Sequence, residues 1–439
     1  MEGGIIVTEL SVYLYGVETG RFSQSEDGQI GFAYKPEWIK AAAAGKAHPL
    51  SISLPFNEQP APGAAEAFIA GLLPDSLKHR EILAVELDLG NDPSDMELLA
   101  KLGRDCAGAL AIVPVGESLD TGHKPMVEYL GEEQLASYIA ALPRRPLLVD
   151  EEDGVMLSLA GVNDKAAVVA SKNRIGLPKH GFPSTHIIKT DIPGLKDSIK
   201  VEHFCLRIAE SCGQDVPKSE VKVAGDQTFL LIWRYDRRLV AEQSGPRLYR
   251  LHQEDFCQAT GFRPSRKYER HGGPNWQLCF QLMSRTSDPV RSRETLLDRV
   301  ILQYLIGNPD AHGKNYSLLY GRSGEVRLAP LYDLNNAEAF RTNFKSVKPI
   351  MAMSIGGNFD RDTLTMENWE KFADDCGLNP ALVTRRLEEL AAAIVDNAKA
   401  VRQELAGTLA DTQLLDLVVE DIAKRASIWV DQRPSVKLG

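Results

Sequence analysis

"LIGNPDAHGKNYSLLY", residues 305–320, runs from a helix-like apolar stretch across a polar connection into a strand-like apolar stretch. The connection sets Asp310 five residues before Asn315. An acid and an amide so placed have three readings. They are favoured turn residues, they are oxygen ligands for a metal, or they belong to a loop where chemistry is done. The rest of the chain decides between these.

Downstream, "VRLAPLYDLNNA" puts Asp333 after a short apolar strand. It either caps the next helix or offers a second oxygen to a hard cation such as magnesium, which takes few protein ligands beside phosphates and water. Upstream, "STHIIKT" holds Lys189 in a strand, with His186, Ile188 and Thr190 on one face and Ile187 and Lys189 on the other. A lysine there is an edge-strand charge or a cation for phosphates. Glu202, opening the following helix, serves the helix dipole or positions that lysine. "SLAGVNDKAAV", residues 158–168, is a Gly-containing turn between strands whose backbone N–H groups suit phosphate, although it fits neither general phosphate-loop pattern. The D-x-x-x-x-N spacing of Asp310 and Asn315 is also that of a kinase catalytic loop. There the carboxylate takes the proton of a substrate hydroxyl and the amide oxygen binds magnesium.

The chain has 439 residues, above the size of a single core, so two or three domains are expected. With 44% hydrophobic and 25% charged residues it is an ordinary globular composition. A net charge of −10 argues against nucleic-acid binding through the overall field. Cys106, Cys205, Cys212, Cys257, Cys279 and Cys376 form no C-x-x-C pair, which reads as reduced thiols rather than a zinc site or a disulfide frame. "MEGGIIVTELSVYLYG" lacks the layout of a signal peptide and no stretch is long and apolar enough to span a bilayer, so a cytoplasmic protein is expected.

Residues 1–60 read as β-rich, "SDMELLAKLGRDCAGALAIVP" as a helix with Ser94 at its N-cap followed by a strand, and "VGESLDTGHKP" as a linker. "SEVKVAGDQTFLLIWRYDRR" reads as a hairpin turning at Gly225-Asp226, and residues 201–213 as an amphipathic helix. Helical patterns dominate after residue 250. The division expected is a β-rich segment 1–115, a linker 116–149, a second β-rich lobe 150–240 and a helical lobe 241–439, in all an α+β fold of two lobes with a cleft.

Taken together and in order, "LPDSLKHREIL", "LLAKLGRDCAGALAIVP", "SLAGVNDKAAV", "THIIKT", "VEHFCLRIAESCG", "WRYDRR", "RLHQEDFCQATG", "KYERHGGP", "LIGNPDAHGKNYSLLY" and "LAPLYDL" resemble the HipA family of bacterial serine/threonine kinases, toxins of two-gene toxin–antitoxin systems. The resemblance covers most of the chain. It implies a kinase-like fold related to the phosphoinositide kinases, with ATP and Mg2+ as cofactors. Asp310 would be the catalytic base, Asn315 and Asp333 the magnesium ligands, and Lys189 a phosphate contact positioned by Glu202. Ala160, Gly161, Val162, Asn163, Asp164 and Lys165 would form the phosphate loop, and Ser158 would be the autophosphorylated serine. His312, Lys314, Trp233 and Tyr235 would complete the nucleotide set, with Tyr235 stacking on the base. The chain departs from the family at Val162, Asn163 and Asp164, where Ala, Gln and Glu are usual. It also departs at Trp233, where an acid is common, and in the exchange of Gly and Ala within the catalytic loop.

The same resemblance implies a type II toxin that stalls growth by phosphorylating a translation component such as an aminoacyl-tRNA synthetase. It also implies a corepressor that reaches operator DNA mainly through a HipB-like helix-turn-helix antitoxin. Two other readings use the same residues: a small-molecule kinase, and a catalytically silent antitoxin-binding corepressor. Arg263, Arg266, Lys267 and Arg270 in "GFRPSRKYERHGG" are either a phosphate contact or a solvated basic loop, the second being favoured in an acidic chain.

Overall fold

The computed structural model describes residues 8–119, 122, 124–142, 165–172, 174–242, 245–343 and 350–430. Ser158 and residues 160–164 of the expected phosphate loop lie outside the described residues. The chain divides into two compact units, one of Met1–Thr190, Lys218–Lys267 and Tyr316–Ala329, the other of Asp191–Pro217, Tyr268–Asn315 and Pro330–Gly439.

The first unit is β-rich. Alternation in "ELSVYL" buries Leu10, Val12 and Leu14, so strand Glu9–Leu14 takes an interior place in a four-stranded antiparallel sheet. Its neighbours are Val17–Gln24 and Leu110–Pro114, with Ile30–Tyr34 at the edge. Phe68, Ile69, Leu98 and Leu99 from two helices, Ala64–Leu72 and Asp95–Leu102, join the same core. Ser94 caps the second of these helices: its hydroxyl accepts from Glu97 N at 3.2 Å, while the Glu97 carboxylate accepts from Ser94 N at 2.7 Å. Such a cap is worth about 1 kcal/mol.

A six-stranded sheet follows in the order Met126–Tyr129, Arg174–Lys179, Lys165–Ser171, His186–Lys189, Gln227–Trp233, Ser219–Ala224. Ala224 faces Gln227 across the expected hairpin turn, and Gly225 takes φ +55° there, a conformation glycine adopts without steric cost. A further sheet pairs His252–Asp255 with Ser317–Tyr320 and the latter with Val326–Leu328. Two boundaries differ from the sequence reading. The stretch 116–149 is no bare linker, because Met126–Tyr129 is an edge strand and helix Glu132–Ala141 packs on the sheet through Ile139. Residues 252–255 are a strand inside the segment read as helical, while Ser317–Tyr320 and Val326–Leu328 are strands where the sequence reads strand-like. Met126–Tyr129 and His252–Asp255 each pair with a partner distant in sequence, which local periodicity does not reveal.

The second unit is helical: Ser198–Ser211, Trp276–Leu282, Pro289–Ile306, Met366–Asp375, Pro380–Leu405 and Leu414–Val430. Tyr304, Trp369 and Trp429 pack edge to face at its centre, with Trp429 Nε1 donating to the Tyr304 hydroxyl at 3.0 Å. Helix Ser198–Ser211 is buried around most of its circumference rather than along one stripe. The α+β division into a β-rich and an all-α part is thus observed.

Candidate active site

Helix Pro289–Ile306 starts with Asp288 accepting from Arg291 N and Pro289 in its first turn, and it stops at Gly307. Gly307 has φ +84° and, with Asn308, donates back to the Gln303 carbonyl. The freed carbonyls at this end are each met by a side chain. Arg425 donates to Leu305 O at 2.8 Å, Asn336 to Ile306 O at 2.6 Å and Arg361 to Gly307 O at 2.9 Å. Asp421 holds two of these donors, accepting from Arg425 at 2.6 Å and from Asn336 at 2.8 Å. Cationic groups at a helix C-terminus complement its dipole. The base of the loop is therefore fixed before its functional residues begin.

Asn308 then ties two segments. Its amide oxygen accepts from Asp310 N at 3.1 Å, and its amide nitrogen donates to Gln303 Oε1 at 2.9 Å and to Asp333 O at 3.3 Å. Asn315 donates through Nδ2 to Asp310 O at 2.7 Å, which leaves its amide oxygen as the acceptor end. Asp333 stands at φ +60°, a left-handed conformation that Asp tolerates better than most residues, between buried Leu331 and Leu334. An amide oxygen and a carboxylate suit magnesium, which keeps phosphate and water in its remaining positions. Among the described residues no group of three or more His, Cys, Asp or Glu could hold a metal ion.

Over residues 301–320 every residue is buried except half-buried Pro309 and exposed Asp310. The Asp310 side chain is 56% exposed; its Oδ1 accepts from the Tyr268 hydroxyl at 2.6 Å, and its Oδ2 lies 3.8 Å from His312 Nε2. His312 is buried and packs edge to face on the Tyr268 ring at 5.1 Å. Lys314 is buried too, and its carbonyl accepts from the Tyr332 hydroxyl at 2.7 Å. One exposed acid at the apex of a buried, fully braced segment is an arrangement for accepting a proton from an incoming group.

In the first unit, antiparallel pairing sets Lys165 directly opposite Lys189, with Ala167 opposite Ile187 on the same face. Like charges facing across a ladder oppose each other unless an anion is shared. The other face carries Ala166, Val168, Ile188 and Leu231 against Ile139 and Leu142. Trp233 pairs with His186 on this second face, their rings 4.4 Å apart. The Trp233 side chain thus lies on the face opposite the lysines, as the period of two along the strand requires. Tyr235 is half-buried in the turn between Arg234 and Asp236. Glu202 belongs to the second unit, where at 4% exposure it is no solvated dipole charge.

Several residues of consequence escaped the sequence reading. Asn308 and Tyr268 touch the Asp310 segment, yet each shows in the sequence only as a polar residue beside a glycine or a basic run. In "WRYDRR" the charges are architectural. Arg234 grips Asp236 at 2.9 and 2.6 Å and donates to Ser184 at 2.9 Å, Arg237 donates to Gly108 O at 2.9 Å, and Asp105 meets Arg237 and Arg250. Burial alone raises the Asp236 carboxyl, but Arg234 and Arg237 pull it well below its ordinary value. Burial, with Arg234 beside it, brings Arg237 down to about 10. In the basic stretch, Arg263 is paired with Asp95 at 3.0 Å and Lys267 with Asp75 at 3.1 Å, so these two charges are already matched. All six cysteines are free thiols, five of them buried.

Comparison with known proteins follows this geometry. Residues 157–398 match the family model of the HipA-like C-terminal domain, and residues 10–113 that of the HipA N-terminal domain. The relative Y4mE of Sinorhizobium fredii is 35% identical over 96% of this chain and 98% of its own. The serine/threonine-protein kinase toxin HipA of Shewanella oneidensis is 28% identical over 82% of this chain and 81% of its own. A solved complex of Shewanella oneidensis HipA, HipB and operator DNA superposes with a TM-score of 0.81 at 25% identity, covering 96% of this chain and 97% of that one. No helix among the described residues is long and apolar enough to cross a membrane.

Proposed function

This chain belongs to the HipA family of serine/threonine kinases, and on that premise we propose that it is an ATP- and magnesium-dependent protein kinase, the toxin of a type II toxin–antitoxin pair. The observation that carries the reading is the exposure of Asp310 at the apex of an otherwise buried loop.

In this mechanism the substrate hydroxyl approaches Asp310, whose carboxylate accepts its proton while the hydroxyl oxygen bonds to the terminal phosphorus of ATP and the bond from that phosphorus to the bridging oxygen breaks, releasing ADP. Asn308 and Asn315 keep that carboxylate at a fixed height by bonding the Asp310 backbone on both sides. Asn315 through its amide oxygen and Asp333 through its carboxylate are the residues that would hold magnesium, which supplies neutralisation of the phosphate charge. Lys165 and Lys189 are assigned to the phosphates, Glu202 to positioning Lys189, and His312, Lys314 and Tyr235 to further nucleotide contacts. Ala160, Gly161, Val162, Asn163 and Asp164 are assigned to the phosphate loop on their match to the family motif. Ser158 is assigned the autophosphorylated position on the same ground. Phosphate there would add a charge of about −1.5 to −2 and repel the nucleotide, an off-switch.

The proposed substrate is a translation component such as an aminoacyl-tRNA synthetase. The proposed partner is a HipB-like antitoxin, supported by the HipB found with the Shewanella relative. A chain of net charge −10 would then add to repression through that antitoxin rather than through its own field.

Intact mass after incubation with Mg-ATP tests the reading. A gain of one phosphate in the parent, absent from Asp310→Asn and from Ser158→Ala, is the expected result. Loss in Asp310→Asn alone would keep the kinase and remove Ser158. No phosphate on any sample that starts unphosphorylated would favour the silent corepressor.

A further inference from the structure

An aspartate carboxylate turns about a broad, two-fold torsion. At 56% exposure nothing in bulk solvent would hold the one oxygen of Asp310 that must take a proton. The structure supplies a holder. The Tyr268 hydroxyl donates to Oδ1 at 2.6 Å, which leaves Oδ2, near His312 Nε2, as the oxygen available to a substrate.

Tyr268 is itself held. Gly273 N donates to its carbonyl at 3.1 Å, and its ring meets His271 at 5.5 Å and His312 at 5.1 Å, both edge to face. The next residue, Glu269, accepts from Ser354 N at 2.6 Å and Ser354 Oγ at 2.9 Å, while Glu269 N donates to Ala352 O at 3.2 Å. The phenol is therefore placed by a braced turn rather than by a mobile loop. A hydroxyl bonded to one carboxylate oxygen favours a single orientation and leaves the other oxygen accessible, the preorganisation that a general base requires.

We infer that Tyr268 is a positioning residue for this kinase, orienting Asp310 so that Oδ2 meets the acceptor hydroxyl. The inference rests on the kinase reading above and adds to it a residue from outside the catalytic loop. The hydroxyl, not the ring, is the functional part. Removing it leaves the packing on His312 in place and frees the carboxylate to rotate.

The test is the rate of phosphate incorporation into the full chain, followed by intact mass over a range of Mg-ATP concentrations, for the parent and Tyr268→Phe. A hydrogen bond to a charged group is at stake, so the maximal rate should fall about tenfold or more. The half-saturating ATP concentration should stay within about twofold of the parent and the melting temperature should not move. A purely structural role would lower stability, or would shift ATP dependence and rate together, and either result overturns the inference. An unchanged maximal rate overturns it too, as does phosphate found on Tyr268 itself, which would make the tyrosine an acceptor. A second variant, Glu269→Gln, loosens the same turn while keeping the phenol, and a smaller fall in rate at unchanged ATP dependence is expected; no fall refutes the role. A parent that incorporates no phosphate fails the kinase reading as a whole. An active parent with an equally active Tyr268→Phe fails only this one.

Discussion

Replacing Gly307 by alanine should loosen the catalytic loop from its base. At φ +84° an L-residue sits in the left-handed region, at a cost of about 1–2 kcal/mol relative to glycine. The added Cβ would also meet Asp421 Oδ2 at 2.8 Å, Arg361 Nη1 at 2.9 Å and Arg425 Nη1 at 2.9 Å. These are not the free ends of surface chains. All three residues are buried, and Arg361 and Arg425 hold the carbonyls of Gly307 and Leu305. Making room breaks at least one charge-assisted bond, worth about 1.5–3 kcal/mol. The two costs together come to about 2.5–5 kcal/mol. Urea unfolding followed by tryptophan fluorescence reads this directly, because Trp369 and Trp429 are buried in the same helical unit. Phosphate incorporation should fall with it, since Asp310 stands three residues beyond the disturbed cap. A loss below about 1 kcal/mol would show that the clamp relaxes freely and refute the claim that it fixes the loop.

Asp310→Asn should lower phosphate incorporation by about 10²–10⁴-fold, the usual contribution of a positioned base, with the melting temperature unchanged; retained activity would remove Asp310 from the mechanism. Lys165→Met and Lys189→Met should each raise half-saturating ATP about tenfold, since each removes a cation from the facing pair; an unchanged ATP dependence would make the pair structural. Glu254 is buried and accepts from Ile52 N at 3.0 Å and from the Ser51 and Tyr320 hydroxyls, and burial pushes its carboxyl from 4.5 up to about 7. The folded chain then binds the extra proton between those values, so this group's contribution to stability falls as pH rises from about 4.5 to about 7, by roughly 3 kcal/mol. His252, pushed down by burial from 6.5 to about 3, slopes the opposite way between those values, so the informative quantity is the difference from Glu254→Gln. The melting-temperature gap between Glu254→Gln and the parent should move in the variant's favour from pH 4.5 to 7 and flatten above; a gap independent of pH would refute it.

The sequence disclosed what depends on near neighbours. The Ser94 cap, the turn at Gly225 and the alternation that separates Lys189 from Ile188 all rest on residues a few positions apart. It disclosed less where partners are remote. Tyr268 and Asp310 lie in different segments, and so do Asn308 and Asp333, with nothing in local composition to join them. The strand Met126–Tyr129 passed for a linker because its partner, Arg174–Lys179, comes much later in the chain. For Trp233 the hairpin was legible, but the face of the sheet on which the tryptophan falls was not, because it depends on registry with His186. A shift of one residue in that registry exchanges the two faces.

The chain passes between its two units five times, and neither unit is a continuous stretch. No single cut releases either one. A fragment beginning at residue 241 would carry strand His252–Asp255 and its partner Ser317–Tyr320 away from the rest of their unit, and would lack helix Ser198–Ser211 from its own. Synthesis on the ribosome meets the same constraint. The strand that completes the first unit, Val326–Leu328, emerges only after Asp191–Pro217 and Tyr268–Asn315 of the second unit have been made, so the first unit cannot close before those foreign segments are out. A nascent chain of this design completes its β-rich unit late, and its helical unit, whose last segment starts at Pro330, later still.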